Sequence, residues 1–206
     1  SSGIPSITTS TRTTRSWQLL ANDPQDNNSP YDTENIYYEL TDTTHAFKYE
    51  YYEPWEDAAG NTVCIMYIDL DNDLETGATI EFDDEIEGID VLIYSFGDDG
   101  FDGTYLYEAD NDQFVFYEQL MWRVAEDSTN EFSFAVNNEF FEGLTSSRMV
   151  SLSGSFSYEP DIVPNEGMLD LLFQPPWISV VPLDSVVAAG SVLDLSVIFD
   201  ASGMFG

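Results

Sequence analysis

Asn61-Thr62-Val63-Cys64-Ile65-Met66-Tyr67-Ile68 runs directly into Asp69-Leu70-Asp71-Asn72-Asp73-Leu74-Glu75-Thr76-Gly77. The first segment is apolar for most of its length and rich in β-branched residues, which reads as a β-strand. The second places four carboxylates at alternate positions and closes on a glycine. Carboxylates this close repel unless something positive sits among them. Hard cations such as calcium are held by several oxygens on a short, sharply turning loop. The pattern predicts a calcium loop at a strand end, with Asp69, Asp71 and Asp73 as ligands. A main-chain carbonyl near Glu75 and the carboxylate of Asp90 on the neighbouring strand are further candidates. An EF-hand is excluded, because Leu74 stands where that loop needs glycine, Ile80 takes the twelfth position, and no helix leads in. A solvated acidic turn is the competing reading.

Outward from this loop the chain reads as β almost throughout. Runs of Tyr, Phe, Val and Ile recur between Gly, Pro, Asn and Asp. Strands are predicted over 16–20, 36–40, 46–53, 63–68, 89–95, 104–108, 113–118, 121–125, 131–136 and 148–156. Ala58-Ala59-Gly60-Asn61 reads as a hairpin turn, and Gly100 and Gly103 mark another. One short helix is predicted over 138–143, capped by Asn137 and stopped by Gly143. The fold class is therefore all-β, an antiparallel sandwich of jelly-roll or immunoglobulin-like type with one short helix. No βαβ alternation and no internal repeat is visible.

The 206 residues carry 39 acids against 5 bases, a formal charge of −34, yet 43% are hydrophobic and 15% aromatic. Nucleic acid and anionic membranes would repel such a chain, so neither is expected as a partner. The apolar content excludes a disordered acidic tail. Bound cations or high salt are the expected compensators. No segment is long and apolar enough to span a bilayer as a helix, so no membrane insertion is expected. No basic-then-apolar leader precedes Ser1, which suits a mature secreted protein or an excised fragment. Cys64 is the only cysteine and is expected to be a buried thiol.

Three regions follow from composition. Residues 1–16 form a Ser/Thr-rich arm in which Ile4, Ile7, Thr9 and Thr11 suit an added edge strand, with Arg12 and Arg15 as its only charges. Residues 17–174 form the calcium-binding sandwich. Pro175-Pro176-Trp177 then breaks the pattern, and 175–206 adds strands at 178–181 and 192–199. Two further acidic runs are candidate metal sites. Asp98, Asp99 and Asp102 sit among glycines that permit the tight turns of an oxygen cage. Asp83, Asp84 and Glu85 read as a solvated run.

At this point the residues carry a resemblance. Asp23-Pro24 with Asp26, Phe47-Lys48-Tyr49-Glu50, Tyr67-Ile68-Asp69-Leu70-Asp71-Asn72 with Thr76-Gly77, Gly88-Ile89-Asp90-Val91-Leu92-Ile93 and Asp161-Ile162-Val163-Pro164-Asn165-Glu166-Gly167 stand in order. Together they resemble the secreted β-sandwich modules related to family 9 carbohydrate-binding modules and DOMON domains. That resemblance implies an accessory unit of a large secreted protein, often with structural calcium. The tail, Pro176-Trp177-Ile178-Ser179-Val180-Val181-Pro182 with Ala188-Ala189-Gly190-Ser191 and Val197-Ile198-Phe199-Asp200-Ala201, resembles the start of a BACON-type immunoglobulin-like domain. It implies an incomplete domain, continued in a longer polypeptide or completed by another molecule. The arm is a candidate donor strand.

Enzyme signatures are weak. His45 is the only histidine, so a zinc centre of ordinary type is not expected, and His45 itself reads as a surface-loop residue. There is no Gly-x-Ser-x-Gly elbow and no phosphate-binding glycine loop. No catalytic activity is expected. For sugar binding the candidate stacking residues are Tyr51, Trp55 and Trp122. Tyr49 and Tyr51 share one strand face and Glu50 and Tyr52 the other, so at least one of these pairs is core. The resulting expectation is a secreted, extracellular or cell-surface calcium-binding structural module. Its partners would be copies of itself through strand pairing, or the rest of a larger secreted protein. A polysaccharide-binding accessory module of a secreted hydrolase is the alternative.

Overall fold

The computed structural model describes residues 17–26, 29, 31–41, 43–54, 62–81, 85–96, 102–126, 129–142, 144, 146–155, 160–172, 178–181 and 196–199. In chain order the strands are β1 (Gln18–Asn22), β2 (Thr33–Leu40), β3 (Thr44–Tyr51), β4 (Thr62–Asp69), β5 (Ala78–Glu81), β6 (Glu85–Ile89), β7 (Val91–Phe96) and β8 (Gly103–Glu108). They continue with β9 (Gln113–Glu118), β10 (Trp122–Ala125), β11 (Glu131–Asn137), β12 (Ser146–Ser155), β13 (Asp161–Val163), β14 (Leu169–Leu172), β15 (Ile178–Val181) and β16 (Ser196–Phe199). A 3-10 turn, Asn138–Phe141, follows β11, and the Asn137 side chain accepts the Glu139 N–H at its start, as an N-cap should.

Every strand pairing is antiparallel. One sheet has the order β1-β2-β3-β11-β10. The other runs β13-β12-β4-β7-β8-β9, and β14 also pairs with β12. Alternation along the central strands explains why the sheets stack. On β3, His45, Phe47, Tyr49 and Tyr51 face inward while Lys48 and Glu50 face out. On β4, Cys64, Met66 and Ile68 face inward, opposite Ile93 and Val91 of β7 in adjacent register. The inner faces of both sheets merge into one cluster with Ile36, Phe132, Phe134, Met149 and Leu171. This is a sandwich with a core of aromatic rings from one sheet against aliphatic and sulfur side chains from the other. Fully burying each large side chain contributes roughly 1.5–3 kcal/mol.

Polar atoms inside the sandwich are bonded across it. Tyr49 Oη meets Ser151 Oγ of β12 at 2.7 Å, and Cys64 Sγ lies 3.7 Å from the same oxygen. Thr33 Oγ1 meets Ser153 Oγ at 2.6 Å. Arg123 of β10 reaches between the sheets, donating from Nε to Ser95 Oγ of β7 at 3.0 Å and stacking over Phe132.

The turn expected at 58–61 lies outside the described residues; β3 and β4, the strands on either side of it, belong to different sheets. Two expectations need correction. His45 is a core residue of β3, because it shares the inward phase of Phe47 and Tyr49. Tyr51 is wholly buried and so has no face for a sugar. Short strands at β5, β13 and β14 were not foreseen. The β15–β16 pair is present, with Ile178 opposite Phe199. The arm with Ile4, Ile7, Thr9, Thr11, Arg12 and Arg15 lies outside the described residues, as do Trp55, Asp98, Asp99 and most of 175–206. Among the described residues no helix is long and apolar enough to cross a membrane.

Candidate metal centres

The acidic loop begins on the last residue of β4. Asp69 is fully buried there and opposite Arg148 of β12, whose guanidinium donates to Asp69 Oδ2. Asp90 stands between β6 and β7, where its main chain is tied to Ile68 and Tyr107. The Leu70 N–H donates to Asp90 Oδ2 at 2.9 Å. One carboxylate oxygen each from Asp69, Asp71 and Asp90 lies within 4.8 Å of the others. The loop folds around its own acids. Asn72 N–H donates to Asp69 Oδ1 at 2.7 Å, Asp73 N–H to Asp71 Oδ1 at 2.9 Å, and Glu75 N–H to Asp73 Oδ1 at 3.0 Å.

Two glycines let the β5–β6 hairpin lie against this loop. Gly77 has φ +77°, and a Cβ there would come within 2.6 Å of the Gly88 carbonyl carbon. Gly88 has φ +84°, and its Cβ would stand 3.2 Å from Asp69 Oδ2. Both positions combine a left-handed backbone with close approach, so only glycine serves.

Arg148 balances Asp69, which leaves Asp71 and Asp90 as the uncompensated pair in this group. Desolvation raises the Asp90 pKa, and the charges of Asp71 and Asp69 push it further up. Asp73 and Glu75 are exposed and stand outside the converging set. Asp102 is committed elsewhere: it accepts the Phe96 N–H and faces Arg123 Nε at 3.8 Å. With Gln119, Leu120, Trp122 and Arg123 it lines a cavity of about 220 Å³. Trp122 is only half-buried there.

A second group of acids was not recognised as such from the sequence. Asp23 in the β1–β2 link, Asp26 beyond it, Asp32 just before β2 and Asp161 at the head of β13 each bring a carboxylate oxygen within 4.8 Å of the others. Asp23, Asp32 and Asp161 are buried, and Asp26 is exposed. The Thr33 N–H donates to Asp161 Oδ2 at 2.8 Å, and Asn165 Nδ2 donates to Asp26 Oδ2 at 2.6 Å. Burial pushes the Asp23 carboxyl up to about 7, helped by the charges of Asp161, Asp26 and Asp32. In the sequence Asp23, Asp26 and Asp161 stand out only as pieces of the family resemblance. Asp23, Asp26 and Asp32 are close in the chain, but Asp161 joins them only through the closing of the sandwich.

Both groups are oxygen-only and could hold a metal ion. Oxygen-only donor sets suit hard cations and not zinc, for which thiolate and imidazole are wanted. Cys64 and His45 are both buried and belong to neither group. Fold and side chains thus define an all-antiparallel β-sandwich with clustered acids able to take a cation. Compared with known protein families and with curated proteins, the chain gives no match.

Proposed function

We propose that this protein is a non-catalytic, calcium-binding β-sandwich that works as a structural module outside the cell. The observation that carries this reading is the convergence of Asp69, Asp71 and Asp90 at the end of β4. An ion there joins the β4 loop to the start of β7 and stiffens one end of the seven-stranded sheet. A chain with 39 acids and 5 bases gains most from such ions. The resemblance to family 9 carbohydrate-binding and DOMON-like modules, which often hold structural calcium in secreted proteins, supports the same reading. Calcium titration with thermal melts in calcium and in chelator tests it. An identical melting curve in both buffers overturns it.

In its most specific form the module is a filament subunit joined by strand exchange. β1 and β10 are the outer strands of one sheet, and β9 is an outer strand of the other. Each has main-chain groups on one side that another strand can pair. The arm precedes β1 in the sequence, and residues 175–206 resemble the start of an immunoglobulin-like domain. Deleting residues 1–15 should leave a folded monomer. Negative-stain microscopy of intact and deleted protein, with and without chelator, decides it. Polymers that survive the deletion, or a monomeric intact chain in calcium, remove the filament form.

A sugar-binding accessory module is the second reading, favoured by one observation. The outer face of β8 and β9 carries Tyr105 against Phe116 and Tyr107 against Phe114, and Phe116 is exposed. Aromatic faces of this kind stack on pyranose rings. Retention of Phe116→Ala and wild type on insoluble polysaccharides separates the readings, since a sugar binder loses retention on that substitution.

A further inference from the structure

The four-aspartate group carries an argument independent of the β4 loop. Acidic side chains crowd together on many surfaces without consequence, but Asp23 is unlike a surface acid. It is 4% exposed, and its Oδ2 is buried with no hydrogen-bond donor on it among the described residues. Buried polar oxygens in folded proteins nearly always have a partner, so one without a donor marks a place where a partner belongs. The described cations are all engaged elsewhere. Lys48 is held by Glu50 and Glu131, Arg123 by Ser95 and Asp102, and Arg148 by Asp69.

Geometry says what partner would fit. Calcium binds oxygens at ~2.3–2.6 Å, so ligands on opposite sides of one ion stand about 4.8 Å apart. The oxygens of Asp23, Asp26, Asp32 and Asp161 all lie within that span. Mutually flexible carboxylates, able to bind through one oxygen or two, suit calcium. Magnesium demands a tight octahedron and keeps most of its waters.

The position says what such an ion would do. Asp23 and Asp32 flank the β1–β2 link of the five-stranded sheet, and Asp161 opens β13 of the seven-stranded sheet. The seam between the sheets is already drawn together here. Thr33 bonds to Asp161 at 2.8 Å and to Ser153 at 2.6 Å, and the Tyr52 hydroxyl donates to the Asp23 carbonyl at 2.8 Å. We infer that Asp23, Asp26, Asp32 and Asp161 form a second, calcium-type site whose ion clasps the two sheets at the β1–β13 end of the sandwich. It shares no residue with the β4 loop, so either site can exist without the other.

The test is calorimetric titration of the calcium-free full-length chain with calcium chloride, for wild type, Asp23→Asn, Asp26→Asn and Asp71→Asn. Asp23→Asn and Asp26→Asn should each bind one calcium fewer than wild type, and Asp71→Asn should retain that ion. Wild-type stoichiometry in both Asp23→Asn and Asp26→Asn overturns the clasp, whatever Asp71→Asn does. Loss of binding in Asp71→Asn alone leaves the β4 loop standing and the clasp refuted. Melting adds a sign that a merely structural aspartate would not give. Asp23→Asn should raise Tm in chelator, by removing a buried like charge, and lower it relative to wild type in excess calcium. A Tm lowered equally in both buffers also overturns the proposal. Asp26 is exposed, so Asp26→Asn keeps the titration decisive if Asp23→Asn fails to fold.

Discussion

Tyr49 Oη and Ser151 Oγ meet at 2.7 Å in the centre of the sandwich, one from each sheet. Both residues are almost fully buried, so neither group can turn to water instead. Tyr49→Phe keeps the ring stacked near Phe134 but leaves Ser151 with only the distant Cys64 sulfur. The expected cost is about 1–2 kcal/mol. It should appear in urea denaturation as a lower midpoint with an unchanged slope.

Removing calcium should lower the melting temperature. An ion that binds only the folded state stabilises it by roughly 3–4 kcal/mol at a few hundred times its Kd. Asp71 is exposed and tied only within its own loop, so Asp71→Asn should disturb the apo fold little. Scanning calorimetry with and without chelator should therefore show a smaller calcium response in Asp71→Asn than in wild type. Equal responses would mean that the loop holds no ion.

Arg148 is the counter-charge of a carboxylate with no exposure at all. In chelator, Arg148→Met leaves Asp69 buried without a counter-charge, which should cost ~3–5 kcal/mol. Adding Asp69→Asn should recover a large part of that loss, because the penalty belongs to the stranded charge. A double-mutant cycle read by chemical denaturation checks this, and simple additivity would contradict it.

His45 should make the fold acid-sensitive. Its ring is buried against Phe141, and Tyr38 shares a 2.7 Å hydrogen bond with Nδ1. Burial lowers its pKa from 6.5 to about 3. The folded protein therefore binds fewer protons than the unfolded chain between those two values. Stability from neutral His45 is complete above pH 6.5 and is lost as pH falls toward 3, at ~1.4 kcal/mol per unit. The difference in unfolding free energy between wild type and His45→Gln, measured at pH 7, 6 and 5, should shrink as pH falls. Subtraction cancels the titration of the many carboxylates common to both proteins. A constant difference would show that His45 does not titrate in this way.

Much of the sandwich was legible because its central strands alternate over most of their length. Phe47, Tyr49 and Tyr51 against Lys48 and Glu50 give a period of two that local sequence displays openly. The same phase places His45 inward, but the polar run Thr43-Thr44-His45 obscured it. Gly and Asn at 58–61 signal a reversal without saying which sheet the next strand joins, and β3 and β4 belong to different ones. β13 has three residues and β14 four, and both exist by pairing with β12. Strands that short leave no periodic trace. For the loop, Asp69 and Asp71 were readable from spacing, and Asp90 follows from the next strand. Asp23 and Asp161 meet only through sheet packing, so no window of sequence contains both.

The edge of the seven-stranded sheet beside β12 is divided into two pieces, which has a bearing on how the molecule behaves in a crowd. β12 runs for ten residues, but its outer flank is filled by β13 and β14 in turn. A strand seeking to dock beyond them would find three rungs, a break spanning Pro164 to Met168, and then four rungs. On the opposite rim β9 offers six residues in one run, with Phe116 and Tyr117 exposed. Short, interrupted rims are poor templates for stacking, whereas a longer apolar one is a better template. The seven-stranded sheet therefore has one interrupted side and one continuous side, and any ribbon grown by adding strands to it would have a direction.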